Sequence, residues 1–265
     1  MPTLYPQLCF MIEYQVQIKS SNQTYLADLN KGIEVGLVLK DGAENPNCYY
    51  ADPPEFEVII AGDFKGSVGM GGPVNHRKVH FSPHGNGTHT ECYGHISADP
   101  EATMDKFFSS IHALCRLVSV EPEQTGNDLV IRKIPGLSYF DPIDAIAVRT
   151  LPNQEEKKTR NYSGTNPPYI DAELTDQLGK QGILHLLTDL PSIDPEIDGG
   201  KLAAHKSFFG WPSPKKPFRS ITELCYFPSE LPDGLYFLQI QIMSIDLDVS
   251  PSRPILFPLS NSHKS

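Results

Sequence analysis

Histidines and a glutamate crowd one short stretch of the chain. Five of the nine histidines fall between residues 76 and 95, and the densest part reads Ser82-Pro-His-Gly-Asn-Gly-Thr-His-Thr-Glu-Cys-Tyr-Gly-His95. Side chains alternate between the two faces of an extended chain, so His89 and Glu91 point to the same side. An imidazole and a carboxylate on one face are two members of a ligand set for a divalent cation.

Two further histidines extend this hypothesis. A turn through residues 85–87 can fold His84 back beside His89 and Glu91, which gives the ligand set of a site for Zn²⁺ or a similar cation. His95 follows Glu91 by four residues and can stand at the edge of such a site as a proton carrier. Histidine clusters in loops are also common without a metal, so spacing alone leaves both interpretations open.

Other kinds of active site have less support in the sequence. There is no Gly-x-Ser-x-Gly motif for a serine hydrolase. A nucleophilic Cys92 is conceivable, but alternation turns its side chain away from His89 and Glu91. The glycine-rich segment 66–73 lacks the Lys-Ser/Thr of a phosphate loop, and we interpret it as a flexible loop near the site. Three lysines are interpreted as a solvated rim, namely Lys206, Lys215 and Lys216.

Composition limits the classes of function. Asp plus Glu is 32 against 22 Lys plus Arg, and the resulting charge of -10 repels phosphate backbones. No stretch approaches the ~20 apolar residues that span a bilayer, and residues 1–11 lack the basic start of a signal peptide. We therefore expect a cytoplasmic protein with neither nucleic acid nor membrane as partner. Five scattered cysteines fit reduced thiols in that compartment, namely Cys9, Cys48, Cys92, Cys115 and Cys225.

The pattern of apolar residues predicts an α/β protein with a mixed, twisted sheet and few helices. The 24 prolines indicate many loops, and the charged stretch 151–168 is interpreted as a surface excursion inside one domain spanning residues 1–265. Helices are expected at 170–181 and 200–209, where apolar spacing is helical and glycine follows. Strands are expected where β-branched apolar runs occur, at 56–61, 114–120, 144–149, 183–187 and 235–242.

Segments along most of the chain match one known family, in the right order. Residues 87–95 resemble the H-x-G-T-H-x-D-x-P-x-H signature of the metal-dependent cyclase family, which includes bacterial kynurenine formamidase and isatin hydrolase. Residues 188–194, Thr-Asp-Leu-Pro-Ser-Ile-Asp, resemble its D-x-P-S-x-D segment. Three further regions also look like the family, at 28–33, 221–224 and the C-terminal hairpin 231–254. The resemblance implies the cyclase or kynurenine formamidase-like fold of swivelling β/β/α type.

The resemblance also assigns roles to individual positions. His89 matches a metal-ligating His of the motif, and His95 matches the His that acts as general acid/base. Glu91 stands where the family has an Asp that bridges two metals. Downstream, His205 and Glu223 match the ligands that complete the metal set. Thr88 and Asp189 are candidates for orienting the ligands, with turn formation as the alternative for Asp189.

Departures from the family pattern concern the first ligand and the substrate pocket. The motif puts its first His at position 85, which is glycine here, so His84 can replace it only if the turn carries one extra residue. Glu91 is longer than Asp by one methylene, which bears on which metal is bound and on the number of ions. Tyr93 replaces the family proline, and the segment 209–218 is an insertion expected to reshape the pocket rim. Tyr93 and Trp211 are candidates for an aromatic wall, with plain core packing as the alternative.

The family implies hydrolysis of an N-formyl or cyclic amide of a small aromatic molecule, with one or two Zn²⁺ or Mn²⁺ ions. It also implies a homo-oligomer. Two alternatives stay open at this point. One is a hydrolase or lyase of the same fold that acts on another small carbonyl compound. The other is a binding protein that kept the fold but lost a productive metal geometry through the changes at Gly85 and Glu91.

Overall fold

The structure of the protein, a computed structural model, describes residues 14–20, 23–137, 142–212 and 217–261. Cys9, the N-terminal stretch 1–11 and the predicted rim residues Lys215 and Lys216 lie outside these ranges. The strands in chain order are β1 (Gln15–Lys19), β2 (Thr24–Asp28), β3 (Ile33–Glu34), β4 (Glu55–Val58), β5 (Ile60–Ala61), β6 (Phe64–Lys65), β7 (Arg77–His80), β8 (His89–Glu91), β9 (Ile111–Val120), β10 (Glu123–Thr125), β11 (Asp128–Ile131), β12 (Ala145–Thr150), β13 (Tyr169–Ile170), β14 (His185–Thr188), β15 (Ser220–Glu223), β16 (Gly234–Ile242) and β17 (Val249–Asn261). The α-helices are α1 (Met104–Phe107), α2 (Ala172–Lys180) and α3 (Ala203–Phe209), and short 3-10 turns occupy Leu29–Lys31, Val68–Met70, Tyr93–Ile96 and Glu155–Lys158.

The main sheet closes on itself as a mixed α/β barrel. Its strands follow the order β17-β16-β9-β12-β14-β15-β8, and β8 pairs again with β17. Strands β9, β12, β14 and β15 run parallel, whereas β8, β16 and β17 pair antiparallel with their neighbours. The predicted mixed sheet is confirmed, and its closure into a barrel adds a feature that the strand pattern does not indicate. β1, β2 and β3 extend the sheet beside β17.

The parallel strands form because they are buried on both faces, which favours near-continuous apolar runs. Every residue of β12 is buried. Its small residues Ala145 and Ala147 lie in one core cluster with Leu187, while Ile146 and Val148 lie in the other cluster, together with α2 and α3. Alternation along one strand therefore supplies both the barrel interior and the layer under the helices.

The predicted strands are confirmed with small shifts at their ends, apart from 56–61. That segment divides into β4, which pairs with β7, and β5, which pairs with β6. The division falls at Ile59, whose N–H donates to His76 O and whose carbonyl accepts from Gly66 N. The chain turns there toward a different partner strand.

Both predicted helices are present and pack against each other. Asp171 caps α2 by accepting from Glu173 N, and Leu174 and Leu178 face the core. Gly210 ends α3 in the left-handed conformation. Thr175 Oγ1 donates to Ala204 O at 3.0 Å, which fixes α3 on α2. Within the described residues, no helix is both long enough and apolar enough to cross a membrane.

The excursion 151–168 is tied down at several points. Lys157 is buried and its Nζ lies 2.8 Å from Asp189 Oδ2. Tyr162 is also buried, and its N–H donates to Asn47 O at 2.7 Å. The segment is therefore packed against the barrel at these points, and only part of it has the surface character that its charges suggest.

Candidate metal centre

Two neighbouring strands bring the first pair of candidate ligands together. His89 is the first residue of β8 and Glu223 is the last of β15, and they stand opposite each other in the antiparallel register. Directly opposed residues share one face of a sheet. His89 Nε2 lies 3.4 Å from Glu223 Oε2, and both side chains are buried.

Glu91 and His205 complete a buried group of four. Glu91 lies two residues beyond His89 on β8, whereas Thr90 between them turns away and its Oγ1 lies 2.8 Å from Thr222 Oγ1. His205, on α3, places Nε2 2.9 Å from Glu91 Oε1 and 3.8 Å from Glu223 Oε1. The predicted alternation on β8 is therefore present, and the two downstream residues do reach it.

His84 and His95 lie on the more open side of Glu91. His84 Nδ1 is 3.7 Å and His95 Nδ1 is 3.5 Å from Glu91 Oε2. Asp248 stands between the two rings, with Oδ2 3.2 Å from His84 Nε2 and 3.1 Å from His95 Nδ1. A His84 Nε2–H that donates to Asp248 leaves Nδ1 free toward Glu91, because a neutral imidazole carries one donor and one acceptor.

The buried group of four contains polar atoms without hydrogen-bond partners, although buried polar atoms are normally hydrogen-bonded. These atoms are His89 Nε2, His205 Nε2 and both carboxylate oxygens of Glu91; the 2.9 Å approach of His205 Nε2 to Glu91 Oε1 lacks hydrogen-bond geometry. An unpaired buried polar group is costly, yet these four atoms belong to side chains that converge on one another. Imidazole nitrogens and carboxylate oxygens are the donors that Zn²⁺ and related divalent ions accept. The donor set therefore fits a metal ion.

The remaining bonds of the two buried imidazoles select the tautomer that a metal ligand needs. His89 Nδ1 lies 2.9 Å from Gly87 O, which can only accept, so Nδ1 carries a proton and the neutral ring has its lone pair on Nε2. His205 Nδ1 lies 2.6 Å from Asp194 Oδ2. Asp194 also accepts from the N–H groups of Ala204 and His205. Such outer partners fix ring orientation in metal sites.

The electrostatics of the cluster are those of an anionic pocket that attracts positive charge. Burial opposes protonation of His205, but Glu91 and Asp194 outweigh it and raise its pKa well above the ordinary value. Burial likewise opposes protonation of His95, whose pKa Glu91 and Asp248 nevertheless raise. Burial raises the pKa of Glu91, but His95 and His205 lower it on balance to about 2. The field that favours protons on these rings also favours a divalent cation between them.

A cavity of about 350 Å³ opens onto the cluster. His84, Glu91, His95, His205 and Glu223 reach its wall. The remaining lining comes from the loops at 49 and 192–202, namely Tyr49, Ser192, Asp194, Pro195, Glu196, Asp198 and Leu202. A cavity of this volume accommodates a small organic molecule.

Of the two residues expected to orient the ligands, Thr88 lies next to the candidate site and Asp189 does not. Thr88 Oγ1 donates to Leu224 O at 2.6 Å and accepts from Leu37 N at 2.8 Å, so it ties the loop before β8 to the residue after Glu223. Asp189 makes no hydrogen bond of this kind. It accepts from Thr150 N and Lys157 Nζ, so it anchors the excursion and its hydrogen bonds do not reach the ligands.

Other sequence expectations are not met at this cavity. Tyr93 is buried and packs edge-on against Phe209, which makes it a core residue. Trp211 is part of the surface, with Lys206 Nζ 5.1 Å from its ring centroid. Neither aromatic ring lines the cavity, and nor does the glycine-rich segment 66–73.

Cys92 turns away from the candidate ligands, as the alternation predicts. Its Sγ donates to Ala102 O at 3.5 Å in the core. Burial raises its pKa to about 12, and a thiol that keeps its proton is a poor nucleophile.

Sequence reasoning missed Asp248, Tyr49 and the role of Asp194. Asp194 lies in the resembling segment 188–194, and an Asp eleven residues before the candidate ligand His205 is a usable signal. Asp248 reaches the site because β17, which begins one residue later, pairs with β8. No local sequence pattern in β17 or β8 predicts that these two strands pair.

A mixed α/β barrel with a cluster of histidines and carboxylates at the mouth of a cavity defines the structural class. The chain belongs to the Cyclase family, whose model matches residues 21–195. His84, His89, Glu91 and His95 lie inside the matched range, whereas His205 and Glu223 lie beyond it.

Named relatives and solved structures resemble most of the chain at low identity. Kynurenine formamidase of Bacillus anthracis is 23% identical over 208 residues, which is 78% of this chain and 88% of the relative. The corresponding protein of Bacillus cytotoxicus is 24% identical over the same lengths. A structure described as a predicted metal-dependent hydrolase from Bacillus stearothermophilus has a TM-score of 0.58 at 17% identity, covering 86% of this chain and 98% of that one. Isatin hydrolase A from Labrenzia aggregata has a TM-score of 0.57 at 12% identity, covering 86% and 93%. These structures share the fold.

Proposed function

We propose that this protein is a metal-dependent hydrolase that cleaves an N-formyl or cyclic amide of a small aromatic molecule. The observation that carries the proposal is the set of buried donor atoms without partners on His89, Glu91 and His205, which converge beside a cavity. The names of the relatives support the reaction class, since kynurenine formamidase and isatin hydrolase both hydrolyse bonds of this type.

The proposed metal ligands are His84, His89, Glu91, His205 and Glu223, which would hold one or two Zn²⁺ or Mn²⁺ ions. When bound, a divalent cation supplies Lewis-acid chemistry: it acidifies water and polarises a carbonyl group. Glu91 and Glu223 supply negative charge that balances the ion. Asp194 and Gly87 O hold the protons of His205 and His89 on Nδ1.

His95 is the proposed general acid/base. Asp248 Oδ2 lies 3.1 Å from its Nδ1, and a proton held there leaves Nε2 to accept a proton from the attacking water. The water oxygen then forms the new bond to the amide carbon, the carbon–nitrogen bond breaks, and His95 returns the proton to the leaving nitrogen. The products are a carboxylic acid and an amine, or a ring-opened amino acid where the amide is cyclic.

The test compares protein stripped of metal by a chelator with the same protein resupplied with Zn²⁺ or Mn²⁺. We expect hydrolysis of N-formylkynurenine or isatin only after metal is restored, and the preferred substrate separates the formamidase-like from the isatin hydrolase-like activity. A protein that takes up no metal and hydrolyses neither compound is a binding protein, and the proposal is then wrong.

His95→Ala tests the assigned role directly. The loss of one general acid/base lowers turnover by ~10²–10⁴-fold, and we expect metal content to stay at the wild-type level. His80→Ala is the matched control, because His80 belongs to the same histidine-rich stretch but lies exposed on β7 near Glu57. Full activity in His95→Ala would refute the assignment.

A further inference from the structure

Tyr49 and Tyr50 occupy a backbone conformation that tyrosine rarely adopts. Their φ angles are 57° and 55°, both in the left-handed region, and the turn closes with Ala51 N donating to Cys48 O at 3.2 Å. Two consecutive positive φ angles are the pattern of a type I′ turn, where Asn-Gly is the usual pair. For a residue with a Cβ the left-handed conformation costs roughly 1–2 kcal/mol.

This turn is fastened to the loop that carries His84. Cys48 N donates to Gly85 O at 3.0 Å, and Cys48 Sγ donates to His84 O at 3.2 Å. Gly85 allows the contact to be this close, because a Cβ there would lie only 2.4 Å from the Cβ of Ala51. Gly85, which stands where the family motif has its first His, therefore allows the strained turn to pack closely against the loop that carries His84.

The two tyrosine side chains are both exposed in part but line different cavities. Tyr49 lines the cavity together with Glu91, His95 and Glu223. Tyr50 is 78% exposed and lines a separate depression near Ser163. Tyr49 is 47% exposed and stands at the open wall of the cavity beside the candidate ligands. Backbone strain of this kind clusters at functional sites.

The chemistry of the cavity wall gives Tyr49 a specific task. Three of the other lining residues are carboxylates, namely Asp194, Glu196 and Asp198, which accept hydrogen bonds and repel negative charge. Tyr49 offers an O–H donor in the same wall, as does Ser192. A polarised carbonyl oxygen gains negative charge as water attacks, and a donor aimed at it stabilises the transition state more than the ground state.

We propose that Tyr49 is a further catalytic residue, whose hydroxyl donates a hydrogen bond to the carbonyl oxygen of the scissile amide. This inference rests on the proposed hydrolase function. The strained turn at Tyr49 and Tyr50 holds the donor in place before the substrate arrives, so that no reorganisation is needed during the reaction.

The test compares Tyr49→Phe with Tyr50→Phe, which removes the same hydroxyl from the adjacent position of the same turn. With formanilide, a neutral aromatic amide, we expect Tyr49→Phe to lower kcat by ~10²-fold, as for the loss of one oxyanion donor. KM and bound metal should stay at wild-type values, and Tyr50→Phe should match the wild type in all three. Wild-type kcat in Tyr49→Phe, or a loss of metal from it, would overturn the proposal.

The same substrate separates this inference from the proposed function. If the metal-loaded wild type hydrolyses none of formanilide, N-formylkynurenine and isatin, the hydrolase proposal fails, and the dissociation constant of intact formanilide becomes the readout. A hydrogen bond to the carbonyl then predicts about tenfold weaker binding to Tyr49→Phe than to Tyr50→Phe. Equal dissociation constants, or no binding to the wild type, would show that Tyr49 is not a donor to an amide.

Discussion

Replacement of Asp194 by asparagine tests how the second layer of the centre prepares a ligand. Asp194 Oδ2 lies 2.6 Å from His205 Nδ1, and the same carboxylate accepts from the N–H groups of Ala204 and His205 at the start of α3. An asparagine has one oxygen and one NH₂ group for these three donors. Oδ1 accepts from Ala204 N, whereas Oδ2 serves both the N–H and Nδ1 of His205. Where the NH₂ group replaces Oδ2, it faces Nδ1 and drives the imidazole proton to Nε2.

A proton on Nε2 blocks the atom that would bind the metal. Nε2, 2.9 Å from Glu91 Oε1, then carries a proton and has no lone pair for a cation. Loss of an outer partner of a metal-bound histidine weakens metal affinity by ~10–100-fold, which is about 1.4–2.7 kcal/mol. We expect Asp194→Asn to lose Zn²⁺ affinity in this range, as measured by competition with a chromophoric chelator at neutral pH.

Asp198→Asn is the matched control. Asp198 lines the same cavity and also accepts from two backbone N–H groups, those of Gly200 and Leu202, but its hydrogen bonds do not involve an imidazole. Its Zn²⁺ affinity should equal that of the wild type. Wild-type affinity in Asp194→Asn, or equal losses in both variants, would refute the assignment of His205 as a ligand prepared by Asp194.

Three further predictions concern stability. Burial lowers the pKa of His185 to about 4 from an ordinary 6.5, so as the pH falls the unfolded chain binds a proton before the folded protein does. The free energy of unfolding should therefore fall by about 3 kcal/mol as pH drops from 6.5 to 4. Urea titrations should show a smaller fall in the His185→Gln variant. Tyr50→Asn should raise the unfolding free energy by about 1 kcal/mol, because asparagine tolerates the left-handed conformation; a lower Tm would contradict the strain assigned to this turn. Lys157→Met should destabilise by ~3–5 kcal/mol because it leaves the Asp189 carboxylate buried without its cation, and Lys157→Met/Asp189→Asn should recover most of the loss; denaturant unfolding that shows no recovery would contradict this.

Local patterns predicted the parts of the site that depend on neighbouring residues. Alternation along β8 places His89 and Glu91 on one face whatever else the chain does, and the turn at 85–87 brings His84 back beside Glu91. The helical spacing of 200–209 predicted α3. That the Cys92 side chain points away from His89 and Glu91 also follows from alternation alone.

The remaining parts depend on contacts that no local pattern encodes. His205 and Glu223 were assigned by family resemblance, and they reach β8 only because α3 packs on the barrel and β15 pairs with β8. Asp248 arrives through the pairing of β17 with β8, which closes the barrel between segments far apart in sequence. Tyr49 depends on a turn whose sequence, Tyr-Tyr, is opposite to what a type I′ turn favours.

Anomalous diffraction from crystals supplied with Zn²⁺ or Mn²⁺, recorded at the absorption edge of each metal, tests the central claim most directly. We expect a peak of anomalous density within the group formed by His89, Glu91, His205 and Glu223, and its strength at the two edges identifies the metal. Metal-supplied crystals with no peak in this group, or with peaks only at surface carboxylates, would contradict the metal centre and with it the proposed hydrolysis.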